Sequence, residues 1–256
     1  MEKCNNGSGR GTLSVVGTGP GAVKQMTLAA CEVLEKADVI IGYKTYLELI
    51  PAFLEGKEVI SSEMMKEVDR CRTALATAET GKNVALVSGG DPGIYAMAGL
   101  VYELARESAN SCRIEIIPGL AAINSCAARL GAPLMHDFAA ISLSDLLTPW
   151  DLIEKRLAAA AMADFVTAIY NPRSKRRTDQ IVRAREIFLA HRAATTPVGI
   201  VTAATRENEK ITVTCLADML ESEIGMQSTV IIGNSQTFTW NDLIITPRGY
   251  SGKYRL

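Results

Sequence analysis

The chain has 256 residues, 48% of them hydrophobic and 21% charged, with a formal net charge of −1. The length suits two α/β lobes, the composition argues against a disordered chain, and the near-neutral balance argues against general nucleic-acid binding, which needs a basic surface. No run of about 18 apolar residues is present, so no membrane span is expected.

Residues 1–10 are polar, lack the apolar core of a signal peptide and are expected to form a loose tail. Beyond them, short apolar runs alternate with amphipathic stretches. Residues 13–16 read as a buried strand, 28–37 as a helix, 39–41 as a second strand and 63–79 as a polar-rich helix. Residues 84–87 are strand-like, 95–107 helical, 114–117 strand-like and 121–130 helical. Strands separated by helices imply a mainly parallel sheet covered on both faces, here a first lobe over 11–133. Pro133 restrains the residue before it and must stop the helix, so the linker is expected at 133–136. In the second lobe, 138–247, strands are expected at 139–143, 165–170, 198–201, 211–214, 230–232 and 243–246. Helices are expected at 151–162, 178–190 and 216–223. Neighbouring strands without helices between them suggest mixed pairing there.

Six cysteines are scattered with no C-x-x-C pair, and the only histidines are His136 and His191. That pattern offers neither a zinc site nor a disulfide framework, and free thiols suit a reducing cytoplasm. No protein-held metal is expected.

Five segments carry possible chemistry. Gly17-Thr18-Gly19-Pro20-Gly21 follows a strand, where missing Cβ atoms allow a tight turn and close approach to a ligand. A dinucleotide site would want G-x-G-x-x-G and an acidic residue ending the second strand. Here a proline follows the second glycine and the strand ends at Gly42-Tyr43, which counts against a nicotinamide-dependent oxidoreductase.

The second segment is Ser88-Gly89-Gly90-Asp91-Pro92-Gly93-Ile94-Tyr95. Asp91 as N-cap with Pro92 at the first helical position would start the next helix, yet capping needs no pair of glycines before it. Glycines at the carboxyl end of a parallel strand are where α/β sheets put ligands. Third, Pro118-Gly119-Leu120-Ala121-Ala122 is another strand-to-helix turn, open to a reading as ligand approach or as plain packing.

Fourth, Asn171-Pro172-Arg173-Ser174-Lys175-Arg176-Arg177 puts basic residues at a helix N-terminus, against the dipole. It is open to two readings, a solvated loop or a grip on an anion, and arginine suits carboxylates through bidentate contacts. Arg173, Lys175 and Arg176 are the candidates for binding substrate. Last, His136-Asp137-Phe138 sets a histidine beside a carboxylate, suited to general acid or base work or to an ordinary structural hydrogen bond.

Together these segments resemble the tetrapyrrole (corrin/porphyrin) methylase family, through residues 16–21, 88–95, 118–134 and 229–233. Residues 136–138, 141–146, 170–175 and 246–250 point to the branch that methylates C-17 of a reduced macrocycle and contracts its ring on the way to corrin. The resemblance implies a cytoplasmic homodimer of two-lobed α/β chains, with S-adenosylmethionine folded between the lobes and a tetrapyrrole as substrate. It would place Gly89, Gly90, Asp91, Ile94, Ala121 and Ala122 against the cofactor, with Tyr170, Ala204 and Thr229 from the second lobe and Pro20 facing the cleft. Two departures stand out. Leu120-Ala121-Ala122 lacks the hydroxyl that the family often carries there, and Thr202 is neutral where relatives of this branch tend to be basic.

Methyl transfer from a sulfonium is an in-line displacement, so it needs positioning and exclusion of water and no protein nucleophile. Ring contraction needs proton handling, for which His136, Asp137 and Asp91 are the candidates. Rival readings are a family member acting at another ring carbon, a ribosomal RNA methylase and a non-catalytic corrinoid-binding module. Whether the substrate already carries cobalt is left open.

Overall fold

Val39, Ile40 and Ile41 are fully buried in succession, as are Ala85, Leu86 and Val87. A strand apolar on both faces has to be covered on both, the condition of a parallel sheet between helices. The computed structural model describes residues 11–63 and 65–255; the expected tail at 1–10 lies outside them.

The chain runs β1 (Thr12–Gly17), α1 (Leu28–Lys36), β2 (Val39–Tyr43), α2 (Lys44–Leu47), β3 (Glu58–Ser62), α3 (Glu67–Glu79), β4 (Val84–Ser88), α4 (Ala98–Glu107) and β5 (Arg113–Ile117). These five strands form one sheet in the order β3-β2-β4-β1-β5, every neighbouring pair parallel. Alternation decides the packing: Leu13, Val15, Val39, Ile41 and Leu86 meet α3 and α4 on one face. Val16, Ile40, Ala85 and Val87 meet Ala30 and Leu34 of α1 on the other. The chain therefore leaves β1 towards one face and leaves the adjacent β4 towards the opposite face. A crevice opens where neighbouring connections part in this way.

The second series is α5 (Ala122–Leu130), β6 (Gly131–Ala132), β7 (Phe138–Ser142), α6 (Trp150–Met162), β8 (Val166–Tyr170), α7 (Asp179–Leu189), β9 (Pro197–Thr202), β10 (Lys210–Cys215), β11 (Ser228–Ile232), β12 (Phe238–Trp240) and β13 (Leu243–Ile245). The sheet order is β10-β9-β11-β8-β7, with β7 and β8 parallel and the other pairs antiparallel, which is the expected mixed pairing. Ile153 and Leu157 of α6 and Ile181, Ala184 and Phe188 of α7 bury against it. A small sheet, β12-β13-β6, closes the series.

The chain divides into two compact units, Met1–Ala122 and Ile123–Leu256. The break falls at the head of α5, ahead of the boundary expected at 133. Leu130 is the reason: its side chain fills the space over Gly199, where a Cβ would stand 2.3 Å from Leu130 Cδ1. The following Gly131–Ala132 pairs with β13.

Several expected elements shift. Asp91 is not an N-cap and Pro92 does not open a helix, because α4 starts at Ala98 behind Met97. Asp91 Oδ1 instead accepts from Gly93 N at 2.8 Å, closing a turn in place of a cap, and Tyr95 at φ +53° keeps the segment from helical continuity. The helix expected at 216–223 is only a 3-10 turn at Met219–Glu221. The helix expected from 63 begins at Glu67.

Candidate active site

Three loops meet at the carboxyl ends of β1, β4 and β5. Gly19 and Gly90 exchange main-chain hydrogen bonds in an isolated bridge, Gly90 N to Gly19 O at 2.8 Å and Gly19 N to Gly90 O at 3.1 Å. Gly90 is held at φ +67°, a left-handed conformation that favours glycine, and a Cβ there would find nothing nearer than Ala122 N at 3.9 Å. Gly119 is glycine for the opposite reason, since a Cβ would stand 2.2 Å from Gly90 O.

Asp91 fastens the loops to one another. While Oδ1 takes Gly93 N, Oδ2 accepts from Gly119 N at 3.2 Å. No described residue accepts from the main-chain N–H of Leu120 or Ala121, so two donors stand at the tip of β5 beside the bare face of Gly90. Pro20 and Ala121 are buried, Ala122 is half-buried and Ile94 is exposed. Gly89 faces the Tyr46 ring, 2.6 Å from where a Cβ would be.

In the second unit, Ser142 lies beside Tyr170 in the parallel pair, and Val230 opposite Ile169 brings Thr229 next to Tyr170. Ser228 pairs with Thr202, their hydroxyls 2.7 Å apart. Tyr170, Thr229 and the turn holding Ala204 therefore gather at one end of this sheet, three of the residues expected from sequence. Tyr170 Oη accepts from Ile123 N at 2.9 Å, fixing the start of α5 there. Beneath lies Cys126, whose thiol burial pushes up to about 11 against the opposing pull of a Thr229 hydrogen bond.

Ala203 and Thr205 both have positive φ, +50° and +68°. Glu209 holds this strained turn through Thr205 N and bonds Arg129 Nε at 2.9 Å. Burial raises the Glu209 carboxyl, but the Thr205 N–H and the Arg129 guanidinium outweigh it and hold it below its ordinary 4.5. A depressed folded pKa gives stability that is present above 4.5 and lost as pH falls through the lowered value. Glu209→Gln is therefore expected to flatten the acid limb of a stability profile recorded by thermal unfolding from about pH 7 to about pH 3.

The basic segment splits in two. Arg173, Lys175 and Arg176 are exposed and form no ion pair with a described residue. Arg177 turns inward: its side chain is 9% exposed, and Nη2 donates to Asn171 O at 2.8 Å. The charge run hid this distinction. His136 and Asp137 sit before β7 at the opposite end of the sheet from Ser142 and Tyr170, about four residues and so roughly 13 Å along the strand. Both are exposed, and His136 Nδ1 accepts from Asp137 N at 2.8 Å. The structure thus keeps His136 and Asp137 apart from Tyr170, Ala204 and Thr229.

Residues 12–220 match the family described as tetrapyrrole (corrin/porphyrin) methylases. The chain belongs to that family. One tetrapyrrole methylase relative, the cobalt-factor III methyltransferase of Priestia megaterium, is 54% identical over 96% of this chain and 46% of its own length. A probable cobalt-factor III C(17)-methyltransferase of Salmonella typhimurium is 49% identical over 93% of this chain and 99% of its own length. The chain thus spans about half of the first relative and nearly all of the second. The crystal structure of the methyltransferase CobJ matches with a TM-score of 0.87 at 37% identity, covering 93% of this chain and 100% of that one.

No group of His, Cys, Asp and Glu residues is placed to hold a metal ion among the described residues. No helix among them is long and apolar enough to cross a membrane. A surface depression of about 450 Å³ beside Val213, Thr214, Trp240 and Asp242 carries none of the loops described above.

Proposed function

We propose that this chain is an S-adenosylmethionine-dependent methyltransferase that methylates C-17 of precorrin-3B or its cobalt-containing counterpart, with ring contraction, in cobalamin biosynthesis. The observation that carries the proposal is the crossing of Gly19, Gly90 and Gly119 at the tips of β1, β4 and β5, locked by Asp91. The names of the Priestia and Salmonella relatives supply the chemistry. The residues fit the donor. The Leu120 and Ala121 N–H groups suit its polar acceptors, the open side of Gly90 leaves room, and Ile94 offers an exposed apolar surface.

S-adenosylmethionine supplies an electrophilic methyl group on sulfur, and the acceptor is an electron-rich ring carbon, so this chain's residues position and shield. Gly90, Ala121 and Ala122 would hold the donor. Arg173, Lys175 and Arg176 meet the peripheral carboxylates of the macrocycle as exposed cations that form no ion pair with a described residue. Asp91 acts through the loops it fastens, since both its oxygens accept main-chain N–H bonds. A homodimer working in the cytoplasm belongs to the same proposal, and sedimentation of the purified chain checks the dimer.

The direct experiment is conversion of cobalt-factor III and of metal-free precorrin-3B, followed by absorbance spectra and mass, with and without S-adenosylmethionine. Methylation of either is expected; methylation at a carbon other than C-17 would move the chain to another branch of the family. Replacing Arg173 and Arg176 together by Gln is expected to raise substrate KM about tenfold with cofactor affinity preserved. Unchanged KM would make the loop plain solvated surface.

A further inference from the structure

Leu146 is 73% exposed and Leu147 is 98% exposed, next to each other in the connection after β7. Single exposed apolar residues are common, but this pair sits on a loop that is held in place. Gln180 Nε2 donates to Asp145 Oδ2 at 2.9 Å, and the Arg177 guanidinium lies 4.0 Å from Asp145 Oδ1. Arg177 Nη1 reaches Ser144 Oγ at 3.5 Å while Nη2 binds Asn171 O, so one buried arginine clips the loops after β7 and β8 together. Asn171 Nδ2 adds a bond to Ser142 Oγ at 2.9 Å. The clip sets the leucine pair on the loop next to the one that bears Arg173, Lys175 and Arg176, at the sheet end where Tyr170 and Thr229 gather.

We propose that Leu146 and Leu147 form an apolar lip that packs on the flat face of the tetrapyrrole while the neighbouring basic loop takes its carboxylates, with Arg177 positioning the two. This rests on the proposed function and adds the residues that recognise the ring itself. The occupant follows from complementarity: an apolar plane rimmed by anions matches an apolar pair beside exposed cations. Both leucines are in solvent, so polar replacements leave the fold's core untouched.

The test uses the full chain, cobalt-factor III as substrate, and a Leu146→Ser/Leu147→Ser double variant. Kinetics, calorimetry with S-adenosylmethionine and sedimentation are recorded for both proteins. Loss of the two leucine contacts to the ring is expected to raise KM for cobalt-factor III about tenfold or more, with cofactor affinity and sedimentation unchanged. An unchanged KM in an active variant overturns the lip and leaves the proposed function standing. A variant that changes its oligomeric state, with KM following protein concentration, also overturns it, because the pair then serves a second copy of the chain. Absence of turnover by the unaltered chain on both cobalt-factor III and precorrin-3B removes the proposed function and the lip with it.

Discussion

Gly119→Ala is expected to abolish measurable S-adenosylmethionine binding and to lower stability by about 3 kcal/mol. The added methyl would stand 2.2 Å from Gly90 O, in the loop after β4, and 2.7 Å from Gly17 O, at the end of β1, both main-chain atoms. A flexible side chain swings aside from such a clash; backbone held by a bridge and a strand end has to move as a whole. Relief would part Gly90 from Gly19, and with it the bridge that shapes the cofactor loop. Calorimetric titration with the cofactor beside a thermal scan checks both effects. Gly90→Ala is the informative contrast: the space is open, and only the +67° backbone objects, at about 1–2 kcal/mol. Affinity retained in Gly119→Ala would mean that the three-loop crossing does not form the cofactor site.

Asp91→Ala is expected to weaken cofactor binding by about tenfold to a hundredfold. It removes the acceptor for Gly93 N and Gly119 N together, and hydrogen bonds to a charged group contribute about 1.5–3 kcal/mol each. Part of that loss falls on loop stability and the rest on the cofactor. Asp91→Asn separates positioning from proton transfer. It keeps one acceptor oxygen, so a positioning residue would leave an intermediate affinity and a turnover that follows cofactor occupancy. An Asn variant that binds the cofactor normally yet fails to turn over would assign Asp91 to the chemistry instead.

The buried strands were legible because the same residues that make them apolar also cover both faces of a sheet, as Val39 to Ile41 do. β3 escaped notice for the converse reason. It is an edge strand in which Glu58, Val59 and Ser61 are exposed, and its pairing comes from β2 and not from its own pattern. β12, Phe238–Trp240, is exposed throughout and owes its existence to the turn at Asn241 and Asp242, both at positive φ.

The glycine loops could be found from sequence because a strand-to-helix turn with paired glycines is a local signal. Two things were not local. One is the partner of Asp91, since an Asp-Pro pair suits a cap and a turn equally until Gly119 supplies a second donor. The other is Arg177, indistinguishable within a charge run until Asn171 O and Asp145 are seen around it. His136 shows the limit of residue chemistry alone: its suitability was visible in the sequence, while its place at the end of β7 away from Ser142 and Tyr170 comes only from the strand register.

The pairing of Gly131–Ala132 with β13 has a consequence for synthesis. The five parallel strands of the first unit are complete once residue 117 has left the ribosome, so that half has all its partners early. The second half waits: Gly199 gains Ile244 as a neighbour only when β13, the last of the described strands, has emerged. Domains fold as units and in order during translation, so the nascent chain carries a finished N-terminal half while Gly131–Ala132 still lacks its strand partner. That interval is when a chaperone has most to hold.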